Sequence, residues 1–277
     1  MKFAICNEIY QGWGLEDTLA HAAQLGYAGV EIAPFTLANA VTDLSATERQ
    51  RIRELAARHH IAIVGLHWLL VKPEGLHLNH TDARIRERTA KYFVELVDCC
   101  ADFGGTIMVV GSPKQRNLMP GVTYPQAWEW TATTLRDAVK RAEDRGVTIC
   151  VEPLAPFETN FINTATEAIE FVKPFNSPAF KILLDVKAMS AEAKPIPQII
   201  HEAWPHFAHF HANDKNLKGP GFGEVDFKPI AAALRETGYG GYVSVEVFQF
   251  EEGAATIAGR SLEYLRQSFG EVSPAGG

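Results

Sequence analysis

The chain has 277 residues, of which 47% are hydrophobic and 21% charged, an ordinary composition for a globular protein with a large core. Its formal net charge is −7, which argues against a nucleic-acid partner because phosphate binding rewards clustered Lys and Arg. No run of 18 or more apolar residues occurs and the N-terminus MKFAICNEIY does not resemble a signal peptide, so we expect no membrane partner. The four cysteines form no CxxC pair, and we expect core thiols in a reducing cytoplasm.

Short β-rich runs alternate with longer amphipathic segments eight times along the chain. Several runs, such as IAIVGL, TIMVVG and KILLDV, are continuously apolar, which is typical of strands buried on both faces of a parallel sheet. The predicted strands are, in chain order, Lys2–Asn7, Gly29–Ala33, Ile61–His67, Thr106–Gly111, Thr148–Glu152, Lys181–Asp185, Phe207–His211 and Tyr242–Val247.

The segments between these strands carry helix start and stop signals. Capping boxes, in which a side chain satisfies free backbone donors of the first helical turn, are predicted at Ser45–Glu48, Thr123–Gln126 and Thr164–Glu167. Glycines that can adopt left-handed dihedrals follow helical runs at Gly26, Gly104 and Gly146. The mean repeat is 277/8, about 35 residues, and no linker or composition shift divides the chain, so we predict one domain over residues 1–277.

Eight βα units could form a closed barrel or a doubly wound open sheet. No GxGxxG follows the first strand, and polar residues accumulate at the C-terminal ends of the strands. In a closed barrel all those ends meet around one mouth, whereas an open sheet would spread them along an edge. We therefore predict an α/β fold, a single (β/α)8 TIM barrel. The polar residues at its mouth would be Asn7, Glu8, Glu31, His67, Ser112, Glu152, Asp185, His211 and Glu246.

The last four predicted strands each end in one potential metal ligand. These residues are Glu152, Asp185, His211 and Glu246. Three buried carboxylates at one barrel mouth would repel one another, and a divalent cation relieves that repulsion. Three oxygen ligands and one imidazole favour Mn²⁺, Mg²⁺ or Co²⁺ over an ion that prefers thiolates. The alternative is that these side chains are separate capping or ion-pairing groups.

These four residues, together with the motif GPGFGEVDF after the seventh strand, resemble the xylose-isomerase-like barrel superfamily of sugar isomerases and epimerases. The chain is most similar to its ketose 3-epimerase branch, which includes D-tagatose and D-psicose 3-epimerases. The resemblance spans essentially the whole chain. It implies one bound metal ion, most often Mn²⁺, and a small carbohydrate as the substrate. Whether the chain forms a homo-oligomer stays open.

The resemblance implies that Glu152 and Glu246 are an acid/base pair on opposite faces of an open-chain sugar. One carboxylate would remove the proton next to the carbonyl to give a cis-enediolate, and the other would return a proton. Return to the same carbon from the opposite face inverts it, whereas return to the neighbouring carbon gives an aldose–ketose isomerisation.

Five further residues are candidates for substrate binding. Glu158, in EPLAPFETN, matches a family position that contacts substrate hydroxyls, with a solvated loop carboxylate as the alternative. His67 and Trp68 end the third strand, where the imidazole could bond a hydroxyl and the indole could stack on a sugar face. His209 would lie one layer below the metal with a structural role. The other two candidates are Lys187 and Lys215.

Two positions depart from the family pattern. Where the family places a His after the metal-binding Asp, this chain has Ala188, and where its epimerases place an Arg after the metal-binding His, it has Leu217. In epimerases these residues grip the carbonyl end of the substrate. Lys187, Lys215 or Lys218 could take over, but lysine is a point charge with a different geometry.

The departures leave several functions open. A metal-dependent sugar isomerase or epimerase is the leading hypothesis. A second is a lyase or deglycosidase, in which the same acid/base pair expels a group β to the carbonyl of a 3-keto-glycoside. An endonuclease-IV-like DNA repair enzyme would need further His ligands and a basic surface. A non-catalytic sugar-binding barrel would require the loss of a ligand, and all four are present.

Overall fold

Eight parallel strands form the centre of the computed structural model, which describes residues 1–270. The last seven positions of the predicted domain, 271–277, lie outside the described residues. Each strand end lies within two residues of its predicted position. The strands are β1 (Lys2–Cys6), β2 (Gly29–Ile32), β3 (Ala62–Leu66), β4 (Ile107–Val110), β5 (Thr148–Val151), β6 (Phe180–Asp185), β7 (Phe207–Ala212) and β8 (Tyr242–Val245).

The strands are hydrogen-bonded in chain order, and β8 also pairs with β1, so the sheet is closed. This confirms the predicted (β/α)8 barrel and excludes the open sheet. Helices follow the strands and surround the barrel. Over residues 1–270 they are α1 (Leu15–Leu25), α2 (Ala46–Arg58), α3 (Ala83–Asp102), α4 (Tyr124–Arg145), α5 (Ala165–Val172), α6 (Val186–Met189), α7 (Ile196–Ala203), α8 (Phe227–Glu236) and α9 (Ala254–Ser268).

The helix start and stop signals identified in the sequence form the expected capping structures. All three capping boxes form, at the starts of α2, α4 and α5. Gly26 and Gly146 cap α1 and α4 with φ of 93° and 67°, and Gly104 after α3 has φ of 85°. These left-handed dihedrals turn the chain from each helix into the next strand without the steric cost that a Cβ would add.

The strands separate two apolar regions. The larger one packs the outer face of the sheet against the helices, and it includes Phe93, Phe171 and Phe227. The smaller one is formed by alternate strand residues with small or medium side chains: Ala4, Val64, Ile107, Val109, Cys150 and Leu183. Because side chains alternate between the two faces of a strand, the residues two positions further along β5 and β6 are Glu152 and Asp185, on the same inner face.

Within residues 1–270, none of the helices has both the length and the apolar character needed to cross a membrane. All four cysteines are buried and free.

Gly65 allows β3 and β4 to approach closely. A Cβ at this position would lie 1.8 Å from the carbonyl oxygen of Ile107, an atom of the neighbouring strand that cannot move independently. We therefore expect Gly65→Ala to lower the free energy of unfolding by about 1–3 kcal/mol. Urea denaturation, with the midpoint and the slope both fitted, measures the change.

Gly259→Ala is the matched control. Gly259 lies inside α9, and an added Cβ there would have no heavy atom within 4 Å. Alanine should raise stability by about 0.5–1 kcal/mol at this helical position. Equal stability of Gly65→Ala and the wild type would contradict the strand packing described here.

Candidate functional site

Four side chains converge at the mouth of the barrel. Glu152 and Glu246 directly follow β5 and β8, Asp185 ends β6, and His211 lies in β7. All four are buried, and one ligand atom from each lies within 4.8 Å of those of the other three. His211 Nδ1 is 3.1 Å from Glu246 Oε2 and 3.9 Å from Glu152 Oε1. The structure therefore brings together the four residues that the sequence predicted as ligands.

The electrostatics of this cluster are those of crowded, buried carboxylates. Burial and the neighbouring Glu246 and Asp185 carboxylates raise the pKa of Glu152 well above its usual value. Burial likewise raises the pKa of Asp185. For Glu246 burial acts in the same direction, but the adjacent His211 and His67 rings lower its pKa below the usual value. Three acidic groups with one imidazole in a buried space fit a divalent cation, which would offset their mutual repulsion.

A buried amide holds Asp185 in place. Asn213 Nδ2 donates to Asp185 Oδ2 at 2.5 Å, while Asn213 Oδ1 accepts from the backbone N–H of Lys187 at 2.7 Å. The backbone N–H of Ala188 donates to the other oxygen, Asp185 Oδ1, at 2.8 Å. Both carboxylate oxygens are thus oriented by neutral donors. Asn213 is not among the residues predicted from the sequence, although it lies two residues after His211 in HAND.

Glu31 orients His211 from below. Glu31 Oε2 is 2.9 Å from His209 Nε2 and 3.1 Å from His211 Nε2, so one carboxylate bridges the two rings. Burial alone would raise the pKa of Glu31, but His209 and His211 lower this pKa well below its usual value. A register shift between β2 and β3 lies directly beside Glu31. His209 therefore occupies the layer beneath the cluster, where the sequence placed it.

His67 joins the cluster from β3. His67 Nε2 is 2.9 Å from Glu8 Oε2, and His67 Nδ1 is 3.5 Å from Glu246 Oε1. Burial lowers the pKa of the His67 ring, but the Glu8 carboxylate outweighs this effect. Together with a contribution from Glu246, it raises the pKa of His67 to about 10. Trp68, the next residue, has a left-handed φ of 52° and is half-buried beside Phe248. The structure thus places His67 and Trp68, the two predicted substrate-binding residues that follow β3, at the mouth.

Lys187 and Glu158 form an ion pair beside the cluster. Lys187 Nζ donates to Glu158 Oε1 at 2.6 Å and lies 3.6 Å from the centre of the Phe248 ring. Both residues line the narrow space that also contains Glu152 and Glu246. Lys215, by contrast, is exposed on the loop after β7 and does not line this space. Its role in substrate binding stays a prediction.

Arg116 supports the site, and the sequence analysis missed it. Its guanidinium is fully buried and donates to the carbonyl oxygens of Glu152 at 2.6 Å, Ile162 at 3.2 Å and Val110 at 3.3 Å. Burial lowers the pKa of Arg116 to about 10, so it stays charged at pH 7. A Cβ on Gly111 would lie 1.9 Å from Glu152 Oε2, so the backbone of the loop after β4 also approaches Glu152 closely.

Comparisons with known proteins agree with this architecture. A family model described as "Xylose isomerase-like TIM barrel" matches residues 19–268. A solved structure of D-psicose 3-epimerase with D-tagatose from Clostridium cellulolyticum H10 superimposes with a TM-score of 0.86 at 23% identity, covering 98% of this chain and 100% of the other. At that identity the superposition shows the fold alone.

Two curated relatives are informative in different ways. A D-psicose 3-epimerase of Ruminiclostridium cellulolyticum is 37% identical over 121 residues, and this match covers 44% of the present chain and only 41% of the relative's length. A 3-dehydro-D-guloside 4-epimerase of Escherichia coli K12 is 24% identical over 275 residues, covering 96% of this chain and 99% of that one. Both relatives are named as sugar epimerases.

Removal of the Arg116 guanidinium should destabilise the protein. Arg116→Met keeps most of the aliphatic volume but takes away one donor from each of three carbonyl oxygens. Those of Val110 and Ile162 still accept from the backbone N–H groups of Glu152 and Leu154, whereas the Glu152 carbonyl loses its 2.6 Å donor, and a buried carbonyl left unsatisfied costs about 1–3 kcal/mol. We expect a loss of about 2 kcal/mol or more, measured by thermal unfolding. Arg84→Met, at an exposed arginine, is the control and should change stability by about 0.5 kcal/mol at most. An Arg116→Met protein as stable as this control would contradict the structural role of Arg116.

Proposed function

Because this chain belongs to the xylose isomerase-like TIM barrel family, we propose that it is a metal-dependent sugar epimerase or aldose–ketose isomerase. The observation that carries this proposal is the buried cluster of Glu152, Asp185, His211 and Glu246. The relatives support the reaction class, since they are named as epimerases of free or conjugated sugars. The metal and the reaction steps belong to the proposal.

Glu152, Asp185, His211 and Glu246 would hold one divalent ion, Mn²⁺ in our proposal, with Mg²⁺ and Co²⁺ as alternatives. When bound, such an ion supplies Lewis acidity that polarises a carbonyl and makes the neighbouring C–H more acidic. Asn213 and Glu31 would keep Asp185 and His211 oriented as ligands. This arrangement follows the general pattern in which hydrogen bonds behind the ligands tune a metal site.

Glu152 and Glu246 approach the narrow space from different strands, and we assign them the proton transfers. One carboxylate would take the proton from the carbon next to the carbonyl, leaving a cis-enediolate, and the other would donate a proton to the opposite face. Their environments differ, because His211 Nδ1 is closer to Glu246, at 3.1 Å, than to Glu152, at 3.9 Å. His67 also contacts Glu246, whereas Arg116 donates to the main-chain carbonyl of Glu152. Such pairs of carboxyl groups with unlike surroundings are suited to separate acid and base roles.

Glu158, Lys187, His67 and Trp68 would hold the sugar. Glu158, Lys187 and His67 line the same narrow space as the two catalytic carboxylates, so their polar atoms are available to hydroxyl groups there. Trp68 and Phe248 form its apolar side and would exclude water from the enediolate.

A lyase acting on 3-keto-glycosides is the second candidate. Ala188 is buried and offers no side-chain donor, and Leu217 is held in a left-handed turn by backbone hydrogen bonds to Asp214 and Phe248. Neither position can grip the carbonyl end of a free ketose. The Escherichia coli relative is named for a 3-dehydro-D-guloside, which supports a keto-glycoside as a candidate substrate. On such a substrate the same two carboxylates could expel a group β to the carbonyl.

Metal content tests the first part of the proposal. We expect about one Mn²⁺ bound per chain, loss of activity on dialysis against EDTA, and recovery on adding Mn²⁺. Asn213→Ala should weaken Mn²⁺ binding about 10- to 100-fold, because Asp185 Oδ2 loses the amide donor that orients it, and Asp185→Asn should weaken it further. Asp137→Asn, on the exposed face of α4, is the control. Elemental analysis without metal, together with no gain from added Mn²⁺, would rule the metal out.

Solvent exchange tests the proton transfers. The Mn²⁺-loaded protein is incubated in deuterated water with D-psicose, D-tagatose and methyl 3-dehydro-β-D-glucopyranoside, and the products are followed by NMR. Deuterium in a rearranged sugar supports the epimerase or isomerase, whereas release of methanol supports the lyase. Glu152→Gln and Glu246→Gln should each lower the rate about 10²- to 10⁴-fold, while Glu263→Gln at an exposed site should not. Full activity in both active-site variants would refute the two-carboxylate mechanism.

A further inference from the structure

A second, larger cavity lies beside the catalytic cluster. Its volume is about 660 Å³, within the range of about 300–1,000 Å³ that is typical of small-molecule sites. It is formed by the loops after β1, β2, β3 and β8, whereas the four predicted metal ligands lie on β5 to β8. Trp68 and Phe248 line both this cavity and the narrow space at the cluster. The two spaces are therefore neighbours that share one aromatic wall.

The wall of the larger cavity is mainly apolar and partly uncovered. Aromatic side chains from all four loops line it, among them Tyr10, Trp13, Phe35 and Phe250. Trp13 is 42% exposed and Phe35 is 37% exposed, although large apolar side chains are usually covered in a folded chain. A concave apolar surface of this kind, adjoining a polar site, is typical of ligand-binding grooves.

Most polar groups around this cavity already have partners. Asn7 Nδ2 donates to Thr36 Oγ1, Asn7 Oδ1 accepts from the backbone N–H of Ala33, and Thr18 Oγ1 donates to the Gly14 carbonyl. A monosaccharide carries a hydroxyl on nearly every carbon, and its hydroxyls would lose hydrogen bonds to water against such a wall. An aromatic group, by contrast, would gain from burial there.

The Glu8 carboxylate is only partly paired, and it lies where the two spaces meet. Both of its carboxylate oxygens are buried without a hydrogen bond of good geometry, although Oε2 lies 2.9 Å from His67 Nε2. Glu8 lines the larger cavity, while His67 lines the narrow space at the cluster. A carboxylate with free acceptor capacity at this junction suits a hydroxyl group of a sugar whose substituent extends into the cavity.

We propose that the larger cavity binds an aromatic substituent on the sugar, so that the substrate is an aryl-conjugated sugar, such as an aryl glycoside, rather than a free monosaccharide. This inference rests on the proposed function, because it places the sugar at the catalytic cluster. The sugar carbonyl then faces Glu152 and Glu246, Glu8 accepts a hydrogen bond from a sugar hydroxyl, and the ring of the substituent packs between Trp13 and Phe35.

Binding of two matched probes tests the inference. Phenyl and methyl 3-dehydro-β-D-glucopyranoside share the sugar and differ only in the substituent, and isothermal titration calorimetry on the Mn²⁺-loaded protein measures both affinities. Burial of a ring of this size is expected to make the phenyl probe bind about 10- to 100-fold more tightly. Equal affinity for the two probes would overturn the proposal.

Two variants test whether the preference for the phenyl probe arises in the larger cavity, and a third variant is the matched control. Trp13→Ala and Phe35→Ala should each reduce the phenyl-over-methyl affinity ratio at least several-fold, and the ratio cancels any general effect on the sugar site. Trp204→Ala removes a tryptophan of almost the same exposure, 41%, that packs on Phe207 at the opposite end of the barrel, and it should keep the wild-type ratio. A preference for the phenyl probe that survives in both cavity variants would also overturn the proposal.

The same probes separate failure of this inference from failure of the proposed function. If both probes are turned over with deuterium incorporation or aglycone release but bind equally, the catalytic assignment stands and the aromatic subsite is refuted. If the phenyl probe binds preferentially and this preference depends on Trp13 and Phe35, but neither probe reacts, the subsite stands and the catalytic assignment is refuted.

Discussion

The pairing of β8 with β1 closes the sheet, and this closure gathers strand ends that are far apart in the chain around one mouth. Because strand side chains alternate between the two faces, the inward positions just above the small apolar interior become the polar layer of the mouth. Glu152, Asp185 and Glu246 are thereby forced into a space where like charges repel strongly. The surrounding polar contacts can be understood as responses to that concentration of charge.

Three different kinds of side chain orient or offset these buried charges: an amide, a carboxylate and a guanidinium. Asn213 orients Asp185 through neutral amide donors, which add no further charge to the cluster. Glu31 bridges His209 and His211 and so fixes which nitrogen of each ring faces its carboxylate. Arg116 adds a buried positive charge and donates to the carbonyl at the end of β5. Together these contacts hold the ligand atoms in one arrangement, which is the condition for a site that does not have to reorganise when it binds.

Features that follow the periodicity of the sequence could be predicted from it. Features that depend on main-chain atoms far away in the chain could not. The strands and capping boxes were predictable because their signals lie within a few residues, and strand ends in a barrel must converge. The role of Arg116 was not predictable, because its acceptors are the main-chain carbonyl oxygens of residues 110, 152 and 162. Every residue has such an oxygen, so the sequence does not mark these three. The bridging role of Glu31 likewise depends on contact with β7 across the barrel interior. The larger cavity depends on the shapes of four loops, which no periodicity specifies.

The mouth is divided into a polar half and an apolar half, and this division bears on the two departures from the family pattern. Ala188 and Leu217 lie on the polar half, after β6 and β7, in place of the His and Arg that the family resemblance led us to expect there. The loops after β1, β2 and β3 instead supply an apolar surface that extends away from the cluster on the far side of Trp68. Binding energy from such a remote surface can position a substrate as effectively as direct contacts at the reacting carbon, provided that the two parts are covalently joined. In the proposed mechanism, Glu152 and Glu246 move the protons, and the cavity beyond Trp68 and Phe248 supplies binding energy on the other side of the barrel.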